Sequence, residues 1–202
     1  MFPTVFTGDV QKPRITASDF LESVVFKFNL HNSDFIMSSV IISLTPMKDY
    51  IKYIRGMVGH KLILMNFAVA AIFNDNGELL LQKRGDKKKW GLPGGALELG
   101  ETLEEAVVRE VREETKLKVK PKFLIGIYTG PDYNVHYPNG DEVQPVAALF
   151  YVKVIGGKLT GKYDEETLEL KYFNKDNLPE IANKDFEDMI TDAFNNKKGV
   201  WH

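Results

Sequence analysis

Cysteine is absent from the 202 residues of this sequence. Its absence excludes disulfide bridges and metal sites built on thiolates. A chain without disulfides is compatible with a reducing compartment, and we expect a cytoplasmic protein. The first residues, MFPTVFTGDVQKPR, also lack the basic start and the apolar stretch of a secretory signal.

A long apolar run and an excess of charge are also missing. The most apolar early run, FIMSSVIISL at 35–44, is about half of the ~20 residues that a helix needs to cross a bilayer. The formal net charge of -2 provides no broad basic surface of the kind that attracts nucleic-acid polymers or anionic membranes. We therefore expect neither partner, and any affinity for phosphate must be local.

The composition is that of a globular protein, with 44% hydrophobic and 27% charged residues. The N-terminal part differs from the rest because two apolar segments, 23–30 and 35–44, flank the polar tetrapeptide HNSD, which favours a β-hairpin. Two internal methionines leave open whether the natural start lies downstream. We predict a β-rich N-terminal extension at 1–46 and a main domain at 47–202.

Strand and helix patterns are interspersed in the main domain. The turn signal NDNG separates 62–73 from 78–84, so these two segments are predicted to pair as strands. Further strands are predicted at 122–130, 144–157 and 168–173, and helices at 47–59, 102–115 and 184–194. This order indicates an α+β fold in which helices pack around a mixed β-sheet.

The helix at 102–115 carries a concentration of acidic residues. Thr102 and Glu105 form a capping box, which makes Thr102 the predicted N-cap. Three glutamates fall on one side of the helix: Glu110, Glu113 and Glu114. Their mutual repulsion would be offset by a bound cation, and Mg²⁺ prefers carboxylate and phosphate oxygens. Taken alone, however, such a run is more often a solvated helix face.

The spacing around this helix resembles a known family. From Gly95, five residues precede Glu101, seven more precede the hexapeptide REVREE at 109–114, and Leu117 supplies a final aliphatic position. This pattern resembles the Nudix box, GX5EX7REUXEEXGU, in which U is aliphatic. Lys116 departs from it, since the family has glycine there.

The resemblance extends beyond the box. WGLPGG at 90–95 and LLLQKR at 79–84 are similar to the family's loop and preceding strand, and the resemblance covers about residues 47–195. It implies a Nudix-type α/β/α sandwich. Because a glycine in place of Lys116 would be a natural left-handed helix terminator, we expect the lysine to cost about 1 kcal/mol or to shift the end of the helix.

The resemblance also implies a reaction. Family members hydrolyse a pyrophosphate bond with Mg²⁺, and Mn²⁺ is a possible substitute. The substrate would be a nucleoside diphosphate linked to another moiety, such as ADP-ribose, a nucleotide sugar, a dinucleoside polyphosphate or a (d)NTP. The alternative is a non-catalytic module that binds or senses nucleotides. Intact box acids and the lack of an evident helix-turn-helix favour catalysis. A third possibility is that residues 1–46 exchange strands in a homodimer.

Metal ligands are implied for four positions of the box. Glu110 and Glu114 would be the principal ligands, Glu113 a third ligand or the anchor of a metal-bound water, and Gly95 the region of a backbone carbonyl ligand. A carboxylate would then remove a proton from the attacking water.

Charged residues outside the four metal-ligand positions have supporting roles in this interpretation. Arg109 is expected to pair with Glu101 and orient the start of the helix. Glu98 is either a further ligand through water or simply solvated. A later loop offers a further catalytic carboxylate from three candidates, of which Glu166 is preferred: Asp164, Glu165 and Glu166.

Substrate contacts are predicted from the cations and aromatic residues. Arg84 is a better candidate for the phosphates than the lysines at 87–89, which are typical of a solvated run. Tyr133 or Tyr137 could stack on a base, although ordinary packing explains them equally well. Four histidines are scattered without metal-ligand spacing and are interpreted as bystanders: His31, His60, His136 and His202. Family rules that use a proline or tyrosine beyond the box are met cleanly by neither Pro131 nor Tyr133.

Overall fold

Two β-sheets form the framework of the computed structural model, which describes residues 50–159 and 165–202. The larger sheet contains β1 (Ile63–Ile72), β4 (Gly94–Ala96), β5 (Leu117–Thr129), β6 (Val135–His136), β7 (Glu142–Gly157) and β9 (Val200–Trp201). The smaller sheet contains β2 (Leu79–Arg84), β3 (Trp90–Gly91) and β8 (Thr167–Phe173). The predicted hairpin at 1–46 lies outside the described residues.

Within the described residues, three α-helices accompany the sheets: α1 (Tyr50–Val58), α2 (Leu103–Thr115) and α3 (Lys184–Phe194). They confirm the predicted helices, with α1 confirmed over its described part. Short 3-10 turns follow β5 and β8, at Pro131–Tyr133 and Lys175–Asn177. Within 50–159 and 165–202, no helix is both long and apolar enough to cross a bilayer.

Strand directions in the larger sheet are mixed, as predicted. Its order is β4-β1-β7-β5-β9, and β6 pairs with β7. β1 runs parallel to β7, whereas β5 runs antiparallel to it. In the smaller sheet β2 lies between β3 and β8 and is antiparallel to both. The long central pairings therefore place the ends of several strands near one another.

Alternate residues of β1 belong to two different core layers. Val69 and Ala71 pack in a cluster with Phe186 and Met189 of α3. Their neighbours in sequence join a second cluster with α2: Ala68, Ala70 and Ile72 pack with Ala106, Val107 and Val111. Because successive side chains of a strand point to opposite faces, the strands lie between the two helices. This arrangement is the expected α/β/α sandwich.

The predicted pairing of 62–73 with 78–84 is wrong. Strands β1 and β2 belong to different sheets, and the only antiparallel bridge between them in the described residues joins Phe73 to Leu79. The turn itself forms, since Asn74 Oδ1 accepts from the backbone N–H of Asn76 and Glu78 at 3.0 Å each. The last five residues of β1 and the first four of β2 are all buried, so both faces of these segments need partners that a two-stranded hairpin cannot supply.

Helix α2 begins and ends close to the predicted positions. Thr102 Oγ1 accepts from Glu105 N at 3.2 Å, and Glu105 Oε2 accepts from Thr102 N at 2.9 Å, which confirms the capping box. Lys116 follows the helix with a left-handed φ of 62° and donates its N–H to Arg112. Strand β5 starts directly afterwards at Leu117, five residues before the predicted start at 122.

Candidate active site

Helix α2 presents two of its glutamates to a cavity of about 650 Å³. The cavity is lined from both sheets and from all three described helices: Phe67 and Val69 of β1, Gln82 and Arg84 of β2, Ile51 of α1, Glu110 and Glu114 of α2, and Asp185 and Phe186 of α3. The loop between β3 and α2 contributes Gly94, Gly95 and Ala96. The predicted site residues that line this cavity are Arg84, Gly95, Glu110, Glu114, Tyr137 and Glu166.

Glu114 is held by two hydrogen bonds at the cavity wall. Its Oε1 accepts from Gln82 Nε2 at 2.9 Å, and its Oε2 accepts from Gly94 N at 2.8 Å. Desolvation by burial raises the pKa of Glu114 to about 8, although both hydrogen bonds favour the ionised form. The buried carboxylate is thus fixed in orientation but poorly compensated in charge.

Glu110 lies against Gly95. A Cβ atom at Gly95 would lie 2.5 Å from Glu110 Cδ, so a side chain there would displace the carboxylate. Burial is the largest cause that raises the pKa of Glu110, and the hydrogen bond from Arg109 Nη1 at 2.7 Å opposes it. Gly95 therefore leaves the space that the Glu110 carboxyl occupies.

Arg109 joins the loop before α2 to the helix. Its Nε and Nη2 donate to Glu101 Oε1 and Oε2 at 2.7 and 2.9 Å, which is the predicted pairing. Nη2 also donates to the carbonyl of Ala96 at 3.0 Å. The hydrogen bond with Glu101 raises the pKa of Arg109 and lowers that of Glu101. A bidentate pair of this kind fixes geometry as well as charge.

Glu113 differs from the other two box glutamates. Its side chain is 58% exposed, its Oε2 lies 3.3 Å from Arg109 Nη1, and it is absent from the described lining of the cavity. Among the residues that the structure describes, no three acidic or histidine side chains are grouped as they would be around a metal. The oxygen chemistry of Glu110 and Glu114 nevertheless fits a hard divalent cation.

Arg84 is the cation of the cavity wall. Its Nε and Nη2 donate to Asp86 Oδ1 and Oδ2 at 3.1 and 2.9 Å. Burial opposes its charge, but the bonds to Asp86 outweigh burial and raise the pKa of Arg84. Arg84 also interacts electrostatically with Glu114 and Asp185. It therefore lies between the acidic end of the cavity and α3.

The two candidate tyrosines have different positions. Tyr137 lines the cavity, where burial raises its pKa. Tyr133 is buried in the core cluster of α3, its hydroxyl donates to Asp188 Oδ2 at 2.8 Å, and the described cavity lining does not include it. Tyr137 therefore lines the cavity, whereas Tyr133 does not, because the Tyr133 ring packs in the core cluster with α3.

Residues of the later acidic loop reach the cavity. Glu165 and Glu166 are part of its lining, and the carbonyl of Glu166 accepts from Gly85 N at 2.9 Å. Asp164 lies outside the described residues. Glu98 is exposed and lines a separate groove of about 340 Å³ beside α1. Of the candidates outside the box, Glu166 is therefore brought to the box glutamates and Glu98 is not.

Each described histidine lies near a carboxylate and outside the cavity lining. His60 Nδ1 is 2.8 Å from Asp141 Oδ1, and His202 Nε2 is 2.8 Å from Asp192 Oδ2. His136 Nδ1 is 3.5 Å from Glu142. The interpretation of the histidines as bystanders stays a prediction.

Comparison with known proteins decides the family. Residues 64–193 match the NUDIX domain. The chain belongs to the Nudix family. It is similar to an ADP-ribose pyrophosphatase of Methanocaldococcus jannaschii, with 36% identity over 178 residues that cover 87% of this chain and 94% of the relative. Residues 47–202 make up less than 87% of this chain, so the similarity to this relative extends into residues 1–46.

Other relatives agree on the fold. A Bacillus subtilis protein with the provisional name 8-oxo-dGTP diphosphatase is 32% identical over 133 residues, which cover 66% of this chain and 82% of that one. The crystal structure of an ADP-ribose pyrophosphatase from Streptococcus suis superposes with a TM-score of 0.56 and 24% identity, over 68% of this chain and 98% of that one. The 202-residue chain is itself a Nudix hydrolase that acts on acid anhydrides, and the family generally depends on a divalent metal.

Two residues of the Nudix site were missed from the sequence. Gln82 interrupts the apolar run LLLQKR in a buried strand, so its polarity was a usable signal. Asp185 gave no such signal, because an acid in the first turn of a helix is expected on helix-dipole grounds alone. Only the fold brings Asp185 to the cavity that contains Glu114.

Proposed function

We propose that this Nudix hydrolase cleaves the pyrophosphate bond of a nucleoside diphosphate linked to another moiety, with Mg²⁺ as its metal and ADP-ribose as its first candidate substrate. The supporting observation is that Glu110, Glu114 and Arg84 line one cavity. Two carboxylates provide ligands for a cation, and a nearby guanidinium provides a partner for phosphate.

Glu110 and Glu114 are the proposed ligands of the metal. A bound Mg²⁺ would neutralise the diphosphate and make a coordinated water more acidic. Mn²⁺ has the same preference for oxygen ligands and is a reasonable substitute. The roles of Glu113 and of the Gly95 carbonyl as further ligands stay predictions.

The remaining residues have positioning and binding roles in the proposal. Arg109 and Glu101 keep the loop after Gly95 attached to α2. Arg84 contacts the phosphates, and Tyr137 provides an aromatic surface for the nucleoside. Glu166 is the candidate general base because it is a carboxylate at the same cavity.

ADP-ribose is preferred because the M. jannaschii relative carries that substrate in its name and matches most of both chains. An oxidised guanine nucleoside triphosphate is the second candidate, supported by the name of the B. subtilis relative. The lack of cysteine is compatible with the cytoplasm, which we propose as the location.

The test is a hydrolysis screen over ADP-ribose, nucleotide sugars, dinucleoside polyphosphates and (d)NTPs including 8-oxo-dGTP, in which chromatography separates the nucleotide products. Each substrate is assayed with Mg²⁺, with Mn²⁺ and with excess chelator. We expect hydrolysis of ADP-ribose that disappears with chelator. Turnover that persists in chelator would contradict the metal dependence, and preference for another nucleotide would replace the substrate.

Glu114→Gln is the paired variant, since it keeps the size of the side chain and removes a ligand charge. We expect kcat to fall by about 100-fold or more. Glu104→Gln is the matched control, because Glu104 is an exposed glutamate of the same helix. Near wild-type activity of Glu114→Gln would contradict the ligand assignment.

A further inference from the structure

Asp185 is a buried carboxylate on the cavity wall, and it lies far from the box in sequence. It lies in the first turn of α3, is 5% exposed and lines the same cavity as Glu110 and Glu114. Its Oδ1 accepts from Phe186 N at 2.9 Å. A buried carboxylate with so few partners is costly, so its presence in a substrate-sized cavity indicates a function.

The charges near Asp185 do not pair with it directly. Lys87 and Arg84 both favour its ionised form electrostatically, while burial opposes it. However, Lys87 Nζ donates to Asn183 Oδ1, and Arg84 is engaged by Asp86. Asp185 forms no ion pair within the described residues. An acceptor therefore faces the cavity without a matching cation.

Gln82 adds a second buried acceptor to this cavity. It is 1% exposed, its Nε2 donates to Glu114 and Thr167, and its Oε1 has no hydrogen-bond partner among the described residues. Buried acceptors of this kind are normally satisfied by a donor from protein, water or ligand. Gln82 therefore leaves one buried acceptor without a donor in the wall of this cavity.

The diphosphate cannot be the partner of Asp185. Ionised phosphate oxygens only accept hydrogen bonds, and their charge would be repelled by a carboxylate. A ligand group that donates must come from the rest of the molecule. On the nucleoside part of such a derivative the donors are the ribose hydroxyls, the exocyclic amines of the base and, in guanine, the ring N1–H.

We propose that Asp185 is a specificity-determining residue that accepts a hydrogen bond from a donor on the nucleoside part of the substrate. The inference rests on the proposed function, because it assumes that a nucleoside diphosphate derivative occupies the cavity. A ribose hydroxyl and an exocyclic amine share the required chemistry, and suitable analogues distinguish them.

A binding experiment tests this without turnover. The Kd of the wild-type protein is measured by calorimetry for ADP, GDP, IDP and 2′-deoxy-ADP. IDP lacks the exocyclic amine of both ADP and GDP, and 2′-deoxy-ADP lacks one ribose hydroxyl. We expect one of these two analogues to bind about 10- to 100-fold more weakly than its parent, as is typical for loss of a hydrogen bond to a charged group.

Asp185→Asn then identifies the residue responsible. We expect the variant to bind the parent nucleotide more weakly by a similar factor and to lose the discrimination against the analogue, as in a double-mutant cycle. Glu187→Gln is the matched control, since Glu187 is an exposed acid of the same helix and its removal should preserve the discrimination. The same comparison of kcat/KM uses ADP-ribose, its inosine analogue and 2′-deoxy-ADP-ribose.

Two results would overturn the proposal. One is a wild-type protein that binds none of the four nucleotides, or binds all four with Kd values that differ by less than about twofold. This measurement does not depend on the folding of any variant. The other is an Asp185→Asn variant that is folded by circular dichroism and retains the wild-type preference. Discrimination in binding together with no hydrolysis of any substrate would count against the proposed function alone.

Discussion

Gln82 donates a hydrogen bond to Glu114, with 2.9 Å between Nε2 and Oε1, and the same nitrogen lies 2.7 Å from Thr167 Oγ1. One buried amide thereby connects α2 to β8 through their side chains. Since β8 begins directly after Glu166, the orientation of the box glutamate and the position of the later acidic loop are coupled.

Replacing Gln82 with methionine should slow turnover more than it weakens substrate binding. The variant keeps the side-chain volume but leaves Glu114 Oε1 without its donor, and a hydrogen bond to a charged group is worth about a factor of ten or more. We expect kcat to fall about tenfold and KM to stay within about twofold. Steady-state kinetics on the best substrate measures both.

Thr167→Val tests the same connection from its other end. It leaves the contact between Gln82 and Glu114 in place, so a smaller loss in the same direction is expected, and Thr167→Ser should restore wild-type kcat. A Gln82→Met variant with unchanged kcat would show that Gly94 N alone orients Glu114.

Gly95→Ala should inactivate the enzyme without unfolding it. The new methyl group would overlap the carboxyl of Glu110, which can move because it is a flexible side-chain end, and a ligand displaced in this way costs about 100-fold in rate. Hydrolysis and thermal unfolding are measured together. Gly56→Ala is the control, since no atom lies within 4 Å of a Cβ there; equal activity of both variants would contradict the prediction.

Glu101→Gln should reduce stability in a pH-dependent manner. The hydrogen bond from Arg109 lowers the pKa of Glu101 from its ordinary value of 4.5, so the folded state binds its proton more weakly than the unfolded state. The stabilising contribution is therefore present above about pH 4.5 and is lost as the pH falls through the lowered pKa.

Urea denaturation at pH 7 and near pH 3 measures this effect. We expect Glu101→Gln to lower the free energy of unfolding by roughly 1 kcal/mol at pH 7 and by much less at the acidic pH. Glu104→Gln serves as the reference for a solvated glutamate nearby. A difference between wild type and Glu101→Gln that is independent of pH would mean that the ionised pair contributes nothing.

Lys116→Gly should stabilise the protein. Lys116 adopts a left-handed φ of 62° at the end of α2, a conformation that costs a residue with a Cβ about 1 kcal/mol and that glycine adopts freely. The exposed hydrogen bond from Lys116 Nζ to the carbonyl of Glu113 is lost and offsets a small part of the gain. Thermal unfolding should show a higher Tm.

Lys118→Gly provides the opposite expectation. Lys118 is an exposed residue of extended strand β5, where glycine gains no conformational relief and weakens the strand. If both glycine variants changed the Tm in the same direction, the left-handed conformation of Lys116 would not explain the result.

Local patterns predicted the helices and most long strands because each is determined by neighbours in sequence. The capping box at Thr102 and the periodicity of 184–194 are of this kind. The partition of β1 and β2 into separate sheets was not predictable from them, since it depends on β7 and β8, which lie far along the chain. A turn signal such as NDNG reports only that the chain reverses.

Prediction of the site had the same limit. The box residues follow from spacing, and the pairing of Arg109 with Glu101 follows from the resemblance. The burial of Tyr133 depends on its contact with Asp188 of α3, and the presence of Asp185 in the cavity depends on the packing of that helix. Neither position carries a sequence pattern that differs from an ordinary core aromatic or an ordinary helix-start acid.

The single bridge between Phe73 and Leu79 has a consequence for how this enzyme can change. The two strands belong to different sheets, and both contribute residues to the wall of the cavity. Arg84 lies on β2, which pairs with β8, whereas Val69 lies on β1, which pairs with β7. Substitutions near Arg84 should therefore leave the pairing of β1 with β7 intact. Substitutions that change substrate preference can therefore arise on one cavity wall without disturbing the structure of the other.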